Sequence, residues 1–328
     1  MPTAFDADQA RASFEANKGL IDEVSPYWYT ASPADGSLVV APGGRDRSLI
    51  ESAQAADVLV IPTIHNVYNP DQILPLFRDP ARRQAHIGYI LDEIRTYGFD
   101  GIDVDYEALP PDAREAYGAF MTELSAALHA EGKLLTVAVH AKTGDVDGAV
   151  AFQDWALLGQ ICDRVRVMTY DFHWQGSEPG PIAPLGWVKD VAEYARSVLP
   201  PAKIQLGIPF YAYDWATGEN ARSVTWTDVQ ALVAEHQPVV NFQERDQAGP
   251  VEEAWFTYVA DGRTRTVWFA SSRALEAKLD LIEDQDLGGM AIWRLGNEDP
   301  RNWEVIRERS VEHPAVIQQI FDTYLPEH

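Results

Sequence analysis

Asp103, Asp105 and Glu107 stand at alternate positions of the string DGIDVDYE, residues 100–107. In a β-strand such side chains share one face, roughly 7 Å from one to the next. Ile102, Val104 and Tyr106 then occupy the other face. Apolar packing accounts for that second face but not for the three acids. A solvated edge strand could carry the acids without function. Phe99, Gly101 and the helical patterns on either side argue instead for an inner strand. Acids turned inward are costly unless they do chemistry or hold a metal. Three carboxyls in line cannot all ionise freely, so at least one pKa should rise. Glu107, last in the row, suits a general acid kept protonated. Asp103 and Asp105, deeper in, would share a proton or hydrogen bond and set the charge beside it. A divalent cation is the rival use of Asp-x-Asp, but hard cations need further oxygen ligands. No second acidic cluster clearly supplies them, so neither metal nor cofactor is expected.

A row of this kind needs buried strands around it. Short apolar runs alternate with helix-like stretches, the pattern of a parallel sheet or barrel. The strands are read at 23–29, 57–64, 101–107, 134–140, 164–170, 204–210 and 288–294. Between them, Ile87, Ile90, Leu91 and Ile94 mark a helix over 81–97. A second helix runs over 111–131, opening at Pro-Asp and closing before Gly132. The fold class expected is α/β, a TIM (β/α)8 barrel with its first strand short or missing. Only Met1–Asp6 precedes the helical stretch at 7–16. Residues 212–286 break the rhythm. They hold a helix-like SVTWTDVQALVAEH and two β-like runs joined through Asp261-Gly262, a hairpin signal. They are read as a small α+β insertion before the last strand, within a catalytic barrel of 1–211 and 287–328.

Composition narrows the partners. The 328 residues carry 26 Lys+Arg against 50 Asp+Glu, a formal charge of −24. Such a surface repels nucleic acid and anionic membrane. A hydrophobic content of 46% excludes a disordered chain, and no apolar run reaches the roughly 20 residues of a membrane helix. The single cysteine, Cys162, excludes an internal disulfide. The N-terminus lacks the basic start and apolar stretch of a signal peptide. A cytoplasmic protein is expected as written, or a secreted one if an export signal lies elsewhere. Oligomeric state is not legible.

With these residues in view, DGIDVDYE resembles the DGxDxDxE signature of glycoside hydrolase family eighteen, the chitinase-like barrels, at every fixed position. MTYDFHW (168–174), LGIPFYAYDW (206–215) and GGMAIWRLGNEDPRNW (288–303) resemble that family's sixth, seventh and eighth strands. SPYWYTASPADGSL (25–38) and EPGPIAPLGWVKDVAEYA (178–195) look most like the subgroup of bacterial spore-cortex and peptidoglycan N-acetylglucosaminidases.

The resemblance implies a retaining glycosidase acting on β-1,4-linked N-acetylglucosamine glycans, peptidoglycan-type or chitin oligomers. Its route is substrate-assisted, through an oxazolinium formed by the sugar's own acetamido group. Glu107 would protonate the glycosidic oxygen. Asp105 would orient the acetamido group, and Asp103 would tune Asp105. Tyr170 would bond the acetamido oxygen, with Asp171 at the same group or the leaving side. Met168 would line the pocket, and Trp293 would floor it, since a pyranose face stacks on an aromatic ring. Tyr27, Tyr29, Trp174, Tyr211 and Tyr213 lie at or past strand ends, where a sugar cleft would need them. His65 and Asn66 end a strand, Asn66 within reach of a sugar hydroxyl. Two other readings stand beside this one: a non-catalytic sugar-binding protein of the same fold, and an unrelated metal-dependent barrel hydrolase.

Overall fold

The structure, a computed structural model, describes residues 7–312 except Val67, Val146, Asp147 and Ala248. The described chain forms two compact units. One runs up to Val167 and takes in Tyr194–Gln205; the other holds Met168–Glu193 and the chain from Leu206 onward.

The first unit is built on parallel strands: β1 (Tyr27–Ala31), β2 (Thr63–His65), β3 (Gly101–Asp105), β4 (Leu134–His140) and β5 (Arg164–Met168). A sixth, β6 (Ile204–Pro209), starts in this unit. Leu38–Val40 pairs antiparallel with β1, and β1, β2, β3 and β4 follow as parallel neighbours. The strands expected at 23–29 and 57–64 are each broken in two. Glu23–Val24 pairs with Leu59–Val60 as a separate short ladder, and Pro26 and Pro62 stand at the breaks. Proline has no N–H to give to a ladder, so pairing must stop there. The first strand, expected to be short or missing, had only Met1–Asp6 left to hold it, and those residues fall outside the described ones; the first described element is the helix Ala7–Asn17.

Helices follow the periodicity. Pro80–Tyr97 is capped by the Asp79 side chain, which accepts from the Ala81 and Arg82 amides, and it ends at Gly98 with φ 69°. Ile87, Ile90 and Ile94 bury its inner face. The stretch at 111–131 splits into a 3-10 turn, Pro111–Ala113, and the helix Arg114–His129. Gly101 pairs with Leu134, and a Cβ there would lie 2.2 Å from the Leu134 carbonyl oxygen. Only glycine lets β3 approach β4 so closely.

In the second unit, β6 lies beside a later strand, Gly289–Trp293. Between them in sequence come β7 (Ala212–Ala216), β8 (Arg222–Val224), β9 (Asn241–Arg245), β10 (Pro250–Ala260) and β11 (Arg263–Phe269); Gly289–Trp293 is β12. Strands β7 to β11 form one antiparallel sheet in the order β8-β7-β11-β10-β9. Asp261 and Gly262 join β10 to β11 with φ 50° and 71°, the two left-handed positions of a tight hairpin. The helix Trp226–His236, with Thr225 and Asp228 as a capping box, sets Val229 against Phe256, Val267 and Phe269. Among the described residues no helix is long and apolar enough to cross a membrane.

Glu253 on β10 is fully buried. Its carboxylate accepts the backbone amides of Ile182 and Ala183, each at 2.7 Å, and Lys278 Nζ lies 3.8 Å away. Burial pushes the Glu253 pKa up and the Lys278 pKa down. Removing one partner of a buried pair strands the other. Glu253→Ala is therefore expected to cost about 3–5 kcal/mol, read as a lower urea midpoint of unfolding.

Candidate active site

β3 ends at Asp105, so Asp103 and Asp105 lie on the strand and Glu107 lies just past it. All three acids are buried. So is the opposite face, where the Tyr106 ring packs at a tilt against Phe77 and Phe120 and its hydroxyl meets His86 Nε2 at 2.8 Å. The strand is inner on both faces.

The three carboxyls have different surroundings. Asp103 accepts from Thr63 Oγ1 on β2 (2.9 Å) and Thr136 Oγ1 on β4 (2.5 Å), and pairs with Arg166 Nη1 on β5 (2.9 Å). Arg166 also pairs with Glu23 at 3.0 Å and donates to Ser25 and Gln205. Asp105 is less well served. Its Oδ2 accepts from the Tyr27 hydroxyl at 3.0 Å, while its buried Oδ1 has no hydrogen-bond partner. Burial, and then the charge of Asp103, raise the Asp105 pKa to about 7. The row called for at least one raised carboxyl and Glu107 was the one expected; the raised pKa described here belongs to Asp105.

Glu107 is held by its backbone. Its amide donates to Asn66 Oδ1 at 2.9 Å and its carbonyl accepts from Asn66 Nδ2 at 2.8 Å. Ala108 follows in the left-handed region at φ 57°, a conformation that a side chain adopts only under constraint. The Glu107 carboxyl oxygen Oε2 lies 3.2 Å from His140 Nε2 at the end of β4.

Several expectations are redistributed. Asn66 was expected at a sugar hydroxyl; both of its amide atoms instead clamp Glu107. Tyr27 reaches Asp105 and stacks on His65 with ring centres 3.8 Å apart. Tyr29 does not join it. The β1–β2 register shifts between Tyr27 and Tyr29, so the two no longer share a face. Tyr29 is buried and donates to Glu93 on the helix Pro80–Tyr97. Thr63, Thr136, Arg166 and His140 were not singled out as site residues. Their types are ordinary for strands, and only register brings them to the acids.

In the second unit, the Asp171 carboxylate accepts from the phenols of Tyr211 (2.5 Å) and Tyr213 (2.9 Å). Burial raises its pKa, and its backbone sits at φ 59°. Tyr170 and Trp293 pack against the buried group of Tyr211, Tyr213 and Trp215. The Trp293–Arg294 peptide is cis. Met168 is half-buried at the end of β5, and Trp174 is exposed. Among the described residues no group of three or more His, Cys, Asp or Glu is arranged to hold a metal ion.

The family profile described as "Glycosyl hydrolases family 18" matches residues 48–298. The chain is 30% identical over 302 residues to a "Cortical fragment-lytic enzyme" of Bacillus subtilis (strain 168), covering 88% of this chain and 69% of that protein. It is 32% identical over 260 residues to the protein of the same name from Bacillus anthracis, covering 76% of this chain but only 59% of that protein. Among solved structures it resembles the Bacillus cereus spore cortex-lytic enzyme SleL, with a TM-score of 0.85 and 27% identity over 94% of this chain and 72% of that one. A chitinase from Chromobacterium violaceum gives 0.84 and 26%, covering 91% and 94%. The fold class is accordingly the α/β TIM barrel of these proteins. The chain belongs to glycosyl hydrolases family 18 and is by that membership a glycosidase.

Proposed function

We propose that the chain hydrolyses β-1,4-linked N-acetylglucosamine glycans with retention, the substrate's 2-acetamido oxygen acting as nucleophile. Glu107 gives its proton to the glycosidic oxygen as the bond to the anomeric carbon breaks. The acetamido oxygen closes on that carbon to form an oxazolinium. Water then opens the ring and returns a proton to Glu107. No protein nucleophile is needed.

The observation that carries this reading is Asp105. Among the described residues one of its oxygens is buried without a hydrogen-bond partner, and burial beside Asp103 raises its pKa to about 7. An acceptor of this kind suits the acetamido N–H, and its ionised form is favoured as positive charge develops there. Asp103 stands behind it, its carboxyl taken up by two hydroxyls and a guanidinium. The roles of Tyr170, Asp171, Met168, Tyr211, Tyr213, Trp174 and Trp293 toward substrate rest on the family resemblance, and the reading of 212–286 as an insertion rests on the break in the strand–helix rhythm and on the antiparallel sheet that fills it. Peptidoglycan-type strands are favoured over chitin oligomers by the names of the Bacillus relatives. The formal charge of −24 works against carboxylate-bearing strands at long range, but salt screens it within about 8 Å.

Glu107→Gln is expected to lower kcat on a chromogenic N-acetylglucosamine oligomer by about 10²-fold or more, with the β-anomer as first product of the wild type by NMR. Inverted product would sink the substrate-assisted route. Mass spectrometry of digests of purified glycan strands and of chitin oligomers decides between the substrates. Asp105→Asn is expected to lower kcat by about 10²–10³-fold. It should also alter the pH dependence of stability. A carboxyl whose folded pKa is raised favours folding fully below the unfolded value of 3.8, and that contribution is lost as pH rises through about 7. The Tm of Asp105→Asn relative to wild type should therefore be higher at pH 8 than at pH 4.

A further inference from the structure

We infer that His140 is a positioning residue for Glu107. Its Nε2–H is proposed to hold one oxygen of the acid, leave the other to carry the proton, and steady the carboxylate once that proton has gone. This inference rests on the reading of Glu107 as the proton donor.

The geometry is direct. Nε2 of His140 stands 3.2 Å from Oε2 of Glu107, and the His140 side chain keeps 29% of its exposure. Both residues are anchored by backbone. His140 N donates to Gln153 Oε1 at 2.8 Å, and Glu107 sits in the Asn66 clamp. Neither carboxyl nor ring therefore has to search for the other. Burial, aided by the charge of Lys142, lowers the His140 pKa to about 4. A lowered pKa favours the neutral ring, and the proposal takes its Nε2 tautomer, which can donate toward Glu107 without carrying a charge.

Among the described residues the charged and titratable neighbours include His65, stacked on Tyr27, and Tyr68, which acts on Tyr27. On the side of Glu107 stand Tyr27 from β1, on which both Glu107 and Asp105 act, and Asp105 from β3 with Asp103 behind it. On the side of His140 stands Lys142. Its Nζ donates to the Gln153 carbonyl at 2.5 Å, and it interacts with Arg114, Asp145 and Asp154. Burial lowers the Lys142 pKa to about 8, so it carries its charge at neutral pH and disfavours a second one on His140.

The proton balance is simple. Glu107 Oε1–H passes its proton to the glycosidic oxygen, which leaves with the electron pair of its bond to carbon. The charge left on the carboxylate spreads over both oxygens, and across the 3.2 Å contact a hydrogen bond from Nε2–H to Oε2 becomes favourable. His140 keeps its own proton throughout. Such a donor stabilises the ionised acid and the transition state leading to it. Its loss should raise the pKa of Glu107.

The test compares wild type, His140→Ala, His140→Gln and Glu107→Gln on two substrates. One is an N-acetylglucosamine oligomer; the other is a 2,4-dinitrophenyl N-acetylglucosamine glycoside, whose leaving group needs little protonation. For His140→Ala, kcat on the oligomer should fall about tenfold with KM little changed. The alkaline limb of its pH profile should move up by about one unit. The dinitrophenyl substrate should lose much less. His140→Gln, which keeps an N–H donor, should recover much of the rate and move the limb back. An alkaline limb that stays in place or moves down, or an equal loss on both substrates, would overturn the inference. Full activity in Glu107→Gln would overturn the acid assignment instead, so the two failures are distinguishable.

Discussion

The structure turns on keeping out of water three carboxyls, two on one strand and one just past its end. An unanswered buried charge costs several kcal/mol, so each acid must be paired, neutralised or kept for a purpose. The three solutions differ. Asp103 takes hydroxyls from β2 and β4 and the Arg166 guanidinium from β5. Asp105 takes one phenol and has its pKa raised. Glu107 meets the His140 imidazole past the strand end. The chain thus grades from a carboxyl saturated with donors to one at the mouth of the strand. The donors for Asp103 need support in turn. Arg166 is itself largely shielded and is paired with Glu23, and Gln205 reaches the same Glu23 carboxylate.

Position is enforced by backbone as much as by side chains. The two hydrogen bonds of Asn66 fix the peptide of Glu107, and Ala108 accepts a left-handed conformation directly after it. The second unit uses a similar device at Asp171, a left-handed residue whose carboxylate is tied to two tyrosines. Strain of this kind persists only where surrounding contacts over-determine the geometry. In both places those contacts are short polar bonds to residues far away in the sequence.

Much of this was legible beforehand. An acid row with a two-residue period resists any packing explanation, so the candidate site announced itself. The helix read over 81–97 and the hairpin at Asp261-Gly262 follow from local rules, whereas the strands at 23–29 and 57–64 were read straight through Pro26 and Pro62, where the ladder breaks. Tyr29 was misread because a register shift in β1 cancels the alternation that would have aligned it with Tyr27. Asn66 was read as facing sugar because a strand-end amide carries no mark of what it bonds. His140 drew no attention as the last residue of an apolar strand, LLTVAVH.

The amino-acid sequence by itself determined the acid row, the alternation of strands and helices, and the family. Tertiary structure alone decided which carboxyl has its pKa raised, which is saturated, and which imidazole stands beside the third. The reason is physical. A pKa answers to desolvation and to donors a few ångströms away. Here those donors come from Tyr27, Thr63, Thr136, His140 and Arg166, on four other strands, and their arrival depends on inter-strand register.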